Sequence, residues 1–220
     1  MSLPAPEYSV PAVDKALDIL ELLAASPEPL TQSAIAEATG RSVGQLFRVL
    51  VTLERRGFLV RERGGGYVLG THVFDLAHQH EPLRGLRAAA LPVMHELALE
   101  VQQSCNLAVL EGHRVRVIAQ VESPADVGYR VRVGAMFDAA TTATGEVLRG
   151  ALEVVRADAM QHGITDVVAA IRGATGATVA ALTVPSVSTS LSTVAHDLVV
   201  ARTRAAAAAI SQRLGAPAGG

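Results

Sequence analysis

The sequence predicts an α+β protein with two domains joined by a helical linker. Three helical patterns and a glycine-tipped pair of strand patterns fill the first 70 residues. A helical stretch follows, and the remainder mixes β-branched runs with helices and ends in an alanine-rich helix. We therefore expect an N-terminal domain over residues 9–70, a linker over 71–88 and a C-terminal α+β domain over 89–216.

Composition narrows the function classes. Half of the 220 residues are hydrophobic, which predicts a folded chain, whereas only 3% are aromatic, which disfavours sites that stack nucleotide or sugar rings. Cys105 is the single cysteine, so no intrachain disulfide is expected. The N-terminus lacks a signal-peptide pattern, and the apolar run 179–184 is too short to span a bilayer. We expect a cytoplasmic protein with no membrane partner.

The first two helices are predicted from their ends and their spacing. Pro11 suits the first position of a helix, because its missing N–H would have no partner there. Thr31 is the predicted N-cap of the second helix, which Gly40 ends. The apolar stripe that we expect on the core face of the first helix is Val13, Ala16, Leu17, Leu20 and either Leu23 or Ala24.

The third helix and a hairpin complete the N-terminal pattern. Ser42 is the predicted N-cap of this helix, and Gln45, three residues later, completes a capping box. Residues 58–60 and 67–69 are predicted strands around the glycines 64–66. Three helices followed by a glycine-tipped hairpin is the order of a winged helix-turn-helix.

The C-terminal half is predicted to be a sheet with helices on one side. Pro82 and Pro92 are expected to divide the preceding helical stretch. Residues 129–133 alternate Arg and Val, as a strand with Val facing inward would. The other predicted elements are a hairpin of 106–110 with 115–121, a helix from Thr144 to about Met160, strands at 167–171 and 179–184, and a helix over 194–214.

Basic charge is concentrated where a winged helix would meet DNA. Between Arg41 and Arg63, six arginines stand against two glutamates, a net charge of +4, whereas residues 1–40 carry −5. An ordinary solvated face is the alternative, but together with the topology this pattern predicts binding to double-stranded DNA. The candidate contact residues are Thr31, Arg41, Ser42, Val43, Gly44, Gln45, Arg48, Arg61, Arg63 and Tyr67.

Several of these candidates have a specific expected contact. Gln45 is suited to adenine edges, and Arg48 to guanine or phosphate. Arg61 and Arg63 lie on the predicted wing, where they could follow a minor groove. Gly44, expected in the middle of a helix, would weaken it by about 1 kcal/mol relative to Ala and could permit close approach to DNA.

No catalytic or metal-binding pattern is apparent in the sequence. His72, His78 and His80 do not share a helical face, and no cysteine or carboxylate with metal-ligand spacing accompanies them. Cys105 has no nearby His that would activate it as a nucleophile. We therefore expect no enzyme activity, no cofactor and no metal.

Short motifs occur in a characteristic order along the chain. They are VDKALDILELL (13–23), LFRVLVTLERRGF (46–58), YVLG (67–70), ESP (122–124), RVG (132–134), ATG (143–145), VAALTV (179–184) and ISQRLG (210–215). In this order they resemble the IclR family of bacterial transcription regulators. The resemblance implies a GAF-like effector-binding C-terminal domain and homodimers or homotetramers on palindromic operators. The pocket residues that it implies are Met136, Thr142, Gly145, Asp166 and Thr183.

The chain departs from the family pattern in two places. The third helix reads VGQLFR (43–48), and only Arg48 matches the usual run, so an altered operator sequence is expected. Between about Gly150 and Asp166 the chain is shorter than the family pattern, which predicts a remodelled, smaller or absent pocket. An acidic Asp166 would disfavour a carboxylate effector unless it were protonated or paired.

Three hypotheses follow. The leading one is a DNA-binding regulator, a repressor, whose operator binding is modulated by a small organic acid or aromatic metabolite. The second is a constitutive or protein-partnered regulator that has lost small-molecule sensing. The third is an enzyme whose N-terminal domain serves only dimerisation.

Overall fold

The computed structural model describes residues 10–79, 81–126, 128–158, 161–187 and 194–217, without the side chains of residues 77, 78, 81 and 82. The side chain of His78, residue His80 and the predicted helix end at Met160 therefore lie outside the described part. Backbone contacts divide the chain into two compact units, residues 1–81 and 82–220. No described helix is long and apolar enough to cross a membrane.

The first unit has the predicted winged helix-turn-helix order. Its core is formed by residues from all three helices and both strands, including Ile19, Ile35, Leu50, Leu59 and Tyr67. The elements are α1 (Pro11–Ala25), α2 (Gln32–Ala38), α3 (Val43–Arg55), β1 (Leu59–Arg61), β2 (Tyr67–Leu69) and α4 (His72–Gln79).

The predicted caps of α2 and α3 are confirmed. The Thr31 side chain accepts a hydrogen bond from Ala34 N at 3.2 Å. Ser42 Oγ accepts from Gln45 N at 3.4 Å, while Gln45 Oε1 accepts from Ser42 N at 3.2 Å, which is a complete capping box. These bonds satisfy backbone donors that have no partner inside the helix, and so they fix where each helix begins.

The core face of α1 differs from the predicted stripe. Ile19 and Leu23 are the buried residues, whereas Val13 and Leu17 are 52% and 51% exposed. Ala16, Leu20 and Leu22 pack partly against the core. Ala16, Leu20 and Leu23 were therefore assigned correctly, and Val13 and Leu17 were not. The helix is apolar on more than one side, so spacing alone could not select the side that packs on α3.

The wing is a short antiparallel pair whose turn depends on glycine. Arg61 pairs with Tyr67 in the β1–β2 register, and Gly65 adopts a φ of +82°, a conformation that costs glycine little. Gly65 N donates to Glu62 O at 2.9 Å, which closes the turn. Tyr67 also exchanges backbone hydrogen bonds with Leu30, so the segment before α2 is fixed to the wing.

The second unit is a six-stranded antiparallel sheet with helices on both faces. The strand order is β5-β4-β3-β8-β7-β6. The elements are α5 (Glu81–Val101), β3 (Cys105–Glu111), β4 (Arg114–Val121), β5 (Met136–Asp138), α6 (Ala143–Leu148), β6 (Glu153–Ala157), β7 (Ile164–Arg172), β8 (Thr178–Val187) and α7 (His196–Arg213).

The two faces of the sheet have separate cores. Met94 and Leu97 of α5 and Val199 and Ile210 of α7 join the larger apolar cluster on one face. Val147 of α6 packs in a different cluster with Val168 and Ala181. The prediction that helices cover only one side of the sheet was therefore wrong, because α6 covers the opposite face.

Three local predictions in this unit were also wrong. The helix that starts at Ala143 ends at Leu148, and β6 follows, since Gly150 turns the chain with a φ of +132° and β6 pairs with β7. Residues 129–133 form no strand, and Val133 is exposed. Pro92 lies inside the continuous helix α5, where burial of Val93, Met94 and their neighbours offsets the lost backbone hydrogen bond.

Candidate nucleic-acid interface and ligand cavity

The solvent face of α3 combines one arginine with an apolar stripe. Arg48 is exposed, as predicted. Val43, Phe47 and Val51 recur every four residues, so they share a face, and Phe47 is 57% exposed. An arginine beside exposed apolar side chains can contact phosphates and base edges together with thymine methyl groups. Sequence reasoning did not select Phe47 or Val51 as contact residues.

Two predicted contact residues near the start of α3 are engaged within the protein. Arg41 Nη2 donates to Asp18 Oδ2 of α1 at 2.6 Å. Gln45 uses Oε1 in the capping box, so bidentate pairing with adenine would require breaking that bond, whereas its amide N–H groups remain on an exposed side chain. Gln32 Nε2 donates to Val43 O at 3.2 Å and links α2 to α3, a contact that the sequence analysis missed.

The wing presents two exposed arginines. Arg61 lies over the ring of Tyr67, with its Cζ 5.7 Å from the ring centroid, and Arg63 is exposed near the glycine turn. The ring contact orients the Arg61 guanidinium at the surface. Thr31, Ser42, Val43 and Gly44 are also exposed.

Two sequence-based expectations about this surface need correction. Tyr67 is only 4% exposed and belongs to the core of the first unit, so its ring is not a surface group and we drop it as a DNA contact. Gly44 is the second residue of α3 and not a mid-helix residue. A Cβ at Gly44 would meet nothing within 4 Å, so its surroundings are open.

A cavity lies on the α6 side of the sheet in the second unit. Its walls surround about 460 Å³ when the adjoining solvent-filled space is included, so the enclosed part is much smaller. The strands β3, β4, β7 and β8, together with β5, α6 and nearby loops, contribute its walls. The lining residues are Asn106, Val115, Val117, Tyr129, Val131, Phe137, Thr142, Thr144, Gln161, Ile164, Asp166, Thr183 and Pro185.

Three of the five predicted pocket residues line this cavity. They are Thr142, Asp166 and Thr183. Met136 is not among the lining residues. Gly145 is not either, because it is a close packing site where a Cβ would collide with the backbone of Ala139. The lining residues Asn106, Phe137 and Thr144 were not predicted, although Thr144 lies in the ATG motif at 143–145.

Asp166 is the acidic residue among the described residues that line the cavity. It is 7% exposed and lies opposite Arg156 in the β6–β7 register. Burial raises the pKa of the Asp166 carboxyl, and the charge of Arg156 opposes this effect without cancelling it. Arg156 Nη2 also donates to Glu146 Oε2. One guanidinium therefore serves two carboxylates.

A larger, more open groove lies between α7 and the β6 edge. Glu153 and Arg204 cross it as a bidentate pair, with N–O distances of 2.7 and 2.8 Å. The hydrogen bond from Arg204 lowers the pKa of Glu153. The rest of the lining combines alanines with Arg172, Ser211 and Gln212.

Neither a reactive thiol nor a metal cluster is found in the described residues. Burial raises the pKa of the Cys105 thiol to about 12, and its Sγ donates to Met94 O at 3.4 Å, so Cys105 is a neutral core group. Within the described ranges, no three His, Cys, Asp or Glu side chains lie close enough to hold a metal ion.

Two family models match the chain. Residues 12–63 match the IclR helix-turn-helix domain, and residues 82–161 match the C-terminal domain of bacterial transcriptional regulators of the IclR type. Together they cover more than half of the chain.

Curated relatives are transcriptional regulators. The glycerol operon regulatory protein of Streptomyces coelicolor is 30% identical over 70% of this chain and 61% of its own length. The regulator TtgV of Pseudomonas putida is 30% identical over 65% of this chain and 55% of its own length. The chain thus spans about three fifths of the length of the curated relatives that it matches.

Solved structures have the same fold. Thermotoga maritima IclR superposes with a TM-score of 0.71 at 21% identity, covering 92% of this chain and 98% of that one. An IclR homologue of Microbacterium hydrocarbonoxydans, complexed with 4-hydroxybenzoate, gives a TM-score of 0.74 at 22% identity, with the same coverage of both chains.

Proposed function

Because the chain belongs to the IclR family of bacterial transcriptional regulators, we propose that it binds duplex DNA through α3 and the wing and thereby controls transcription. The observation that carries this proposal is the surface formed by Arg48 on α3 and by Arg61 and Arg63 on the wing, all exposed. Such a surface neutralises phosphates while α3 lies in a major groove.

We assign recognition of the DNA base sequence to the exposed face of α3. Arg48 is placed to contact guanine or phosphate, and Phe47 and Val43 to contact thymine methyl groups. Because Gln45 Oε1 is occupied by the capping box, its expected contribution is a single donated hydrogen bond. Thr31 and Ser42, at the starts of α2 and α3, are assigned to phosphate contacts.

The active form proposed here is a homodimer or homotetramer on a palindromic operator. Val10, Val13 and Leu17 expose apolar side chains along α1 and just before it, and a second copy would cover them. Two winged helices would then contact half-sites about 34 Å apart or a multiple of this distance.

Control by a small molecule is assigned to the cavity around Asp166. A ligand that binds one DNA-binding state of the protein better than another would change operator affinity. We expect the protein to act in the cytoplasm as a repressor without enzyme activity. A constitutive or protein-partnered regulator is the alternative, favoured by the stretch between about Gly150 and Asp166, which is shorter than the family pattern.

The experiment that tests DNA binding is selection from a pool of random duplexes. The full chain is incubated with the pool, bound duplexes are recovered and sequenced, and a selection without protein serves as control. We expect enrichment of an inverted repeat. Recovery of no enriched sequence over successive rounds would refute the proposed function.

A further inference from the structure

Among the described residues that line the cavity in the second unit, one side chain is charged. Asp166 is the one carboxylate among the described residues that line it, and no Lys, Arg or His is among them. Asp166 lies on the same face of β7 as Val168, which packs against α6, so its side chain is on the cavity side of the sheet.

The charge of Asp166 is only partly compensated. Its nearest assigned cation is Arg156 on β6, which does not line the cavity and also holds the Glu146 carboxylate. Because Arg156 is shared between two carboxylates, it neutralises an ionised Asp166 only in part. A bound group that carries a positive charge would neutralise the remaining negative charge of Asp166.

The three threonines of the lining make hydrogen bonds within the protein. Thr144 Oγ1 and Thr183 Oγ1 lie 3.0 Å apart and share a hydrogen bond. Thr142 Oγ1 donates to Asp138 O and accepts from Gly145 N. The carboxylate is thus the strongest acceptor that the lining offers to a ligand.

The opposite part of the lining is apolar. Val115 and Val117 of β4, Phe137 of β5 and Val131 face the cavity, and Val115 and Val117 are buried in their own cluster with Ala139. A ligand with an apolar body would find its surface here, while its polar end reaches Asp166.

We propose that this cavity binds a small organic ammonium compound whose charged nitrogen donates to Asp166 and whose apolar body lies against Val117 and Phe137. The assignment rests on the proposed regulatory function and names the ligand class of its sensing site. A carboxylate ligand would place a second negative charge beside Asp166 without a lining cation to neutralise it.

Isothermal titration calorimetry of the full chain with two matched pairs of compounds tests this assignment. Benzylamine is compared with benzoate, and propylamine with propionate, because the members of a pair differ mainly in the sign of their charge. We expect at least one amine to bind at least about tenfold more tightly than its paired acid, the size of a hydrogen bond to a charged group. Tighter binding of the acids, or no binding of either amine at millimolar concentration, would overturn the proposal.

Two variants test whether Asp166 causes the preference for amines over acids. Asp166→Asn is expected to lower amine affinity by at least about tenfold. Asp197→Asn, which removes an exposed carboxylate from the first turn of α7, is the matched control and should leave amine affinity unchanged. Equal amine affinity of wild type and Asp166→Asn would also overturn the assignment.

The ligand titration and the selection of duplexes test the ligand class and DNA binding separately. Selection of duplexes reports on the first unit and requires no ligand. A chain that binds amines but selects no DNA sequence would refute the regulatory function and leave the ligand class standing, whereas the reverse result would refute only the ligand class.

Discussion

Arg41 and Asp18 form an ion pair that joins the turn before α3 to α1, with 2.6 Å between Nη2 and Oδ2. The Arg41 side chain is about one quarter exposed, and its Nε is buried without a hydrogen-bond partner. Arg41 therefore positions the start of α3, and it is less available to DNA than its place in the sequence suggested.

Asp18→Ala should destabilise the first unit by up to about 1 kcal/mol, because it leaves a partly buried guanidinium unpaired. Denaturant unfolding monitored by circular dichroism measures the change. Glu21→Ala, an exposed acid on the same helix, is the control and should have a smaller effect. Equal stability of the two variants would show that the Arg41–Asp18 pair contributes nothing.

Phe47→Ala should weaken binding to the selected duplex several-fold, about 1 kcal/mol, because apolar contact with thymine methyl groups is lost. Since Phe47 is exposed in the free protein, its stability should change by less than about 0.5 kcal/mol. Fluorescence anisotropy titrations measure the affinity, and Phe47→Leu should retain most of it. An unchanged affinity in Phe47→Ala would remove Phe47 from the proposed interface.

Leu17→Glu should shift the protein toward monomer, because it places a charge in the apolar surface that we assign to the dimer contact. Light scattering coupled to size-exclusion chromatography measures the mass. Ala24→Glu, exposed on the same helix, should leave the mass unchanged. A wild-type monomer at the highest concentrations tested, or an unaltered mass in Leu17→Glu, would contradict the assigned surface.

Asp166 should make the stability of the second unit depend on pH. Because its pKa is raised in the folded state, the folded chain keeps this proton in a pH window where the unfolded chain has released it. The free energy of unfolding should therefore fall as pH rises through that window, and the penalty should be complete above the folded-state pKa.

Asp166→Asn should remove this dependence and raise stability at neutral pH by an amount on the order of 1 kcal/mol. Denaturant unfolding of the variant, the wild type and Asp197→Asn at neutral and mildly acidic pH measures the effect. A stability difference between wild type and Asp166→Asn that does not grow with pH would show that desolvation of Asp166 is not the cause.

Local chemistry explains which parts of the fold the sequence could predict. Ser42 and Gln45 form their capping box between residues three apart, so the start of α3 was readable from the sequence. The strand that follows the helix at Ala143 could not be predicted. Val154 and Val155 fit a helix or a strand, and pairing with β7 decides between the two. The exposed Leu17 was assigned to the core for a similar reason, since packing on α3 selects the buried side of α1.

The family resemblance predicted part of the cavity. Thr142 and Thr183 lie in or beside segments that carry the family resemblance, and both line the cavity. Asn106 and Phe137 come from β3 and β5, which are far apart in the chain, and only the sheet order brings them together. The polarity of the lining is likewise a property of the assembled sheet, so the amine preference could not be derived from the chain alone.

We propose that α3 reads DNA with Arg48. The most direct measurement is the equilibrium affinity of the wild type, Arg48→Ala and Arg132→Ala for the selected duplex, at one fixed salt concentration. Arg132 is an exposed arginine of the second unit and serves as the matched control. We predict that Arg48→Ala loses at least about 1 kcal/mol of binding free energy while Arg132→Ala binds like the wild type. Equal affinities of all three proteins would contradict the claim.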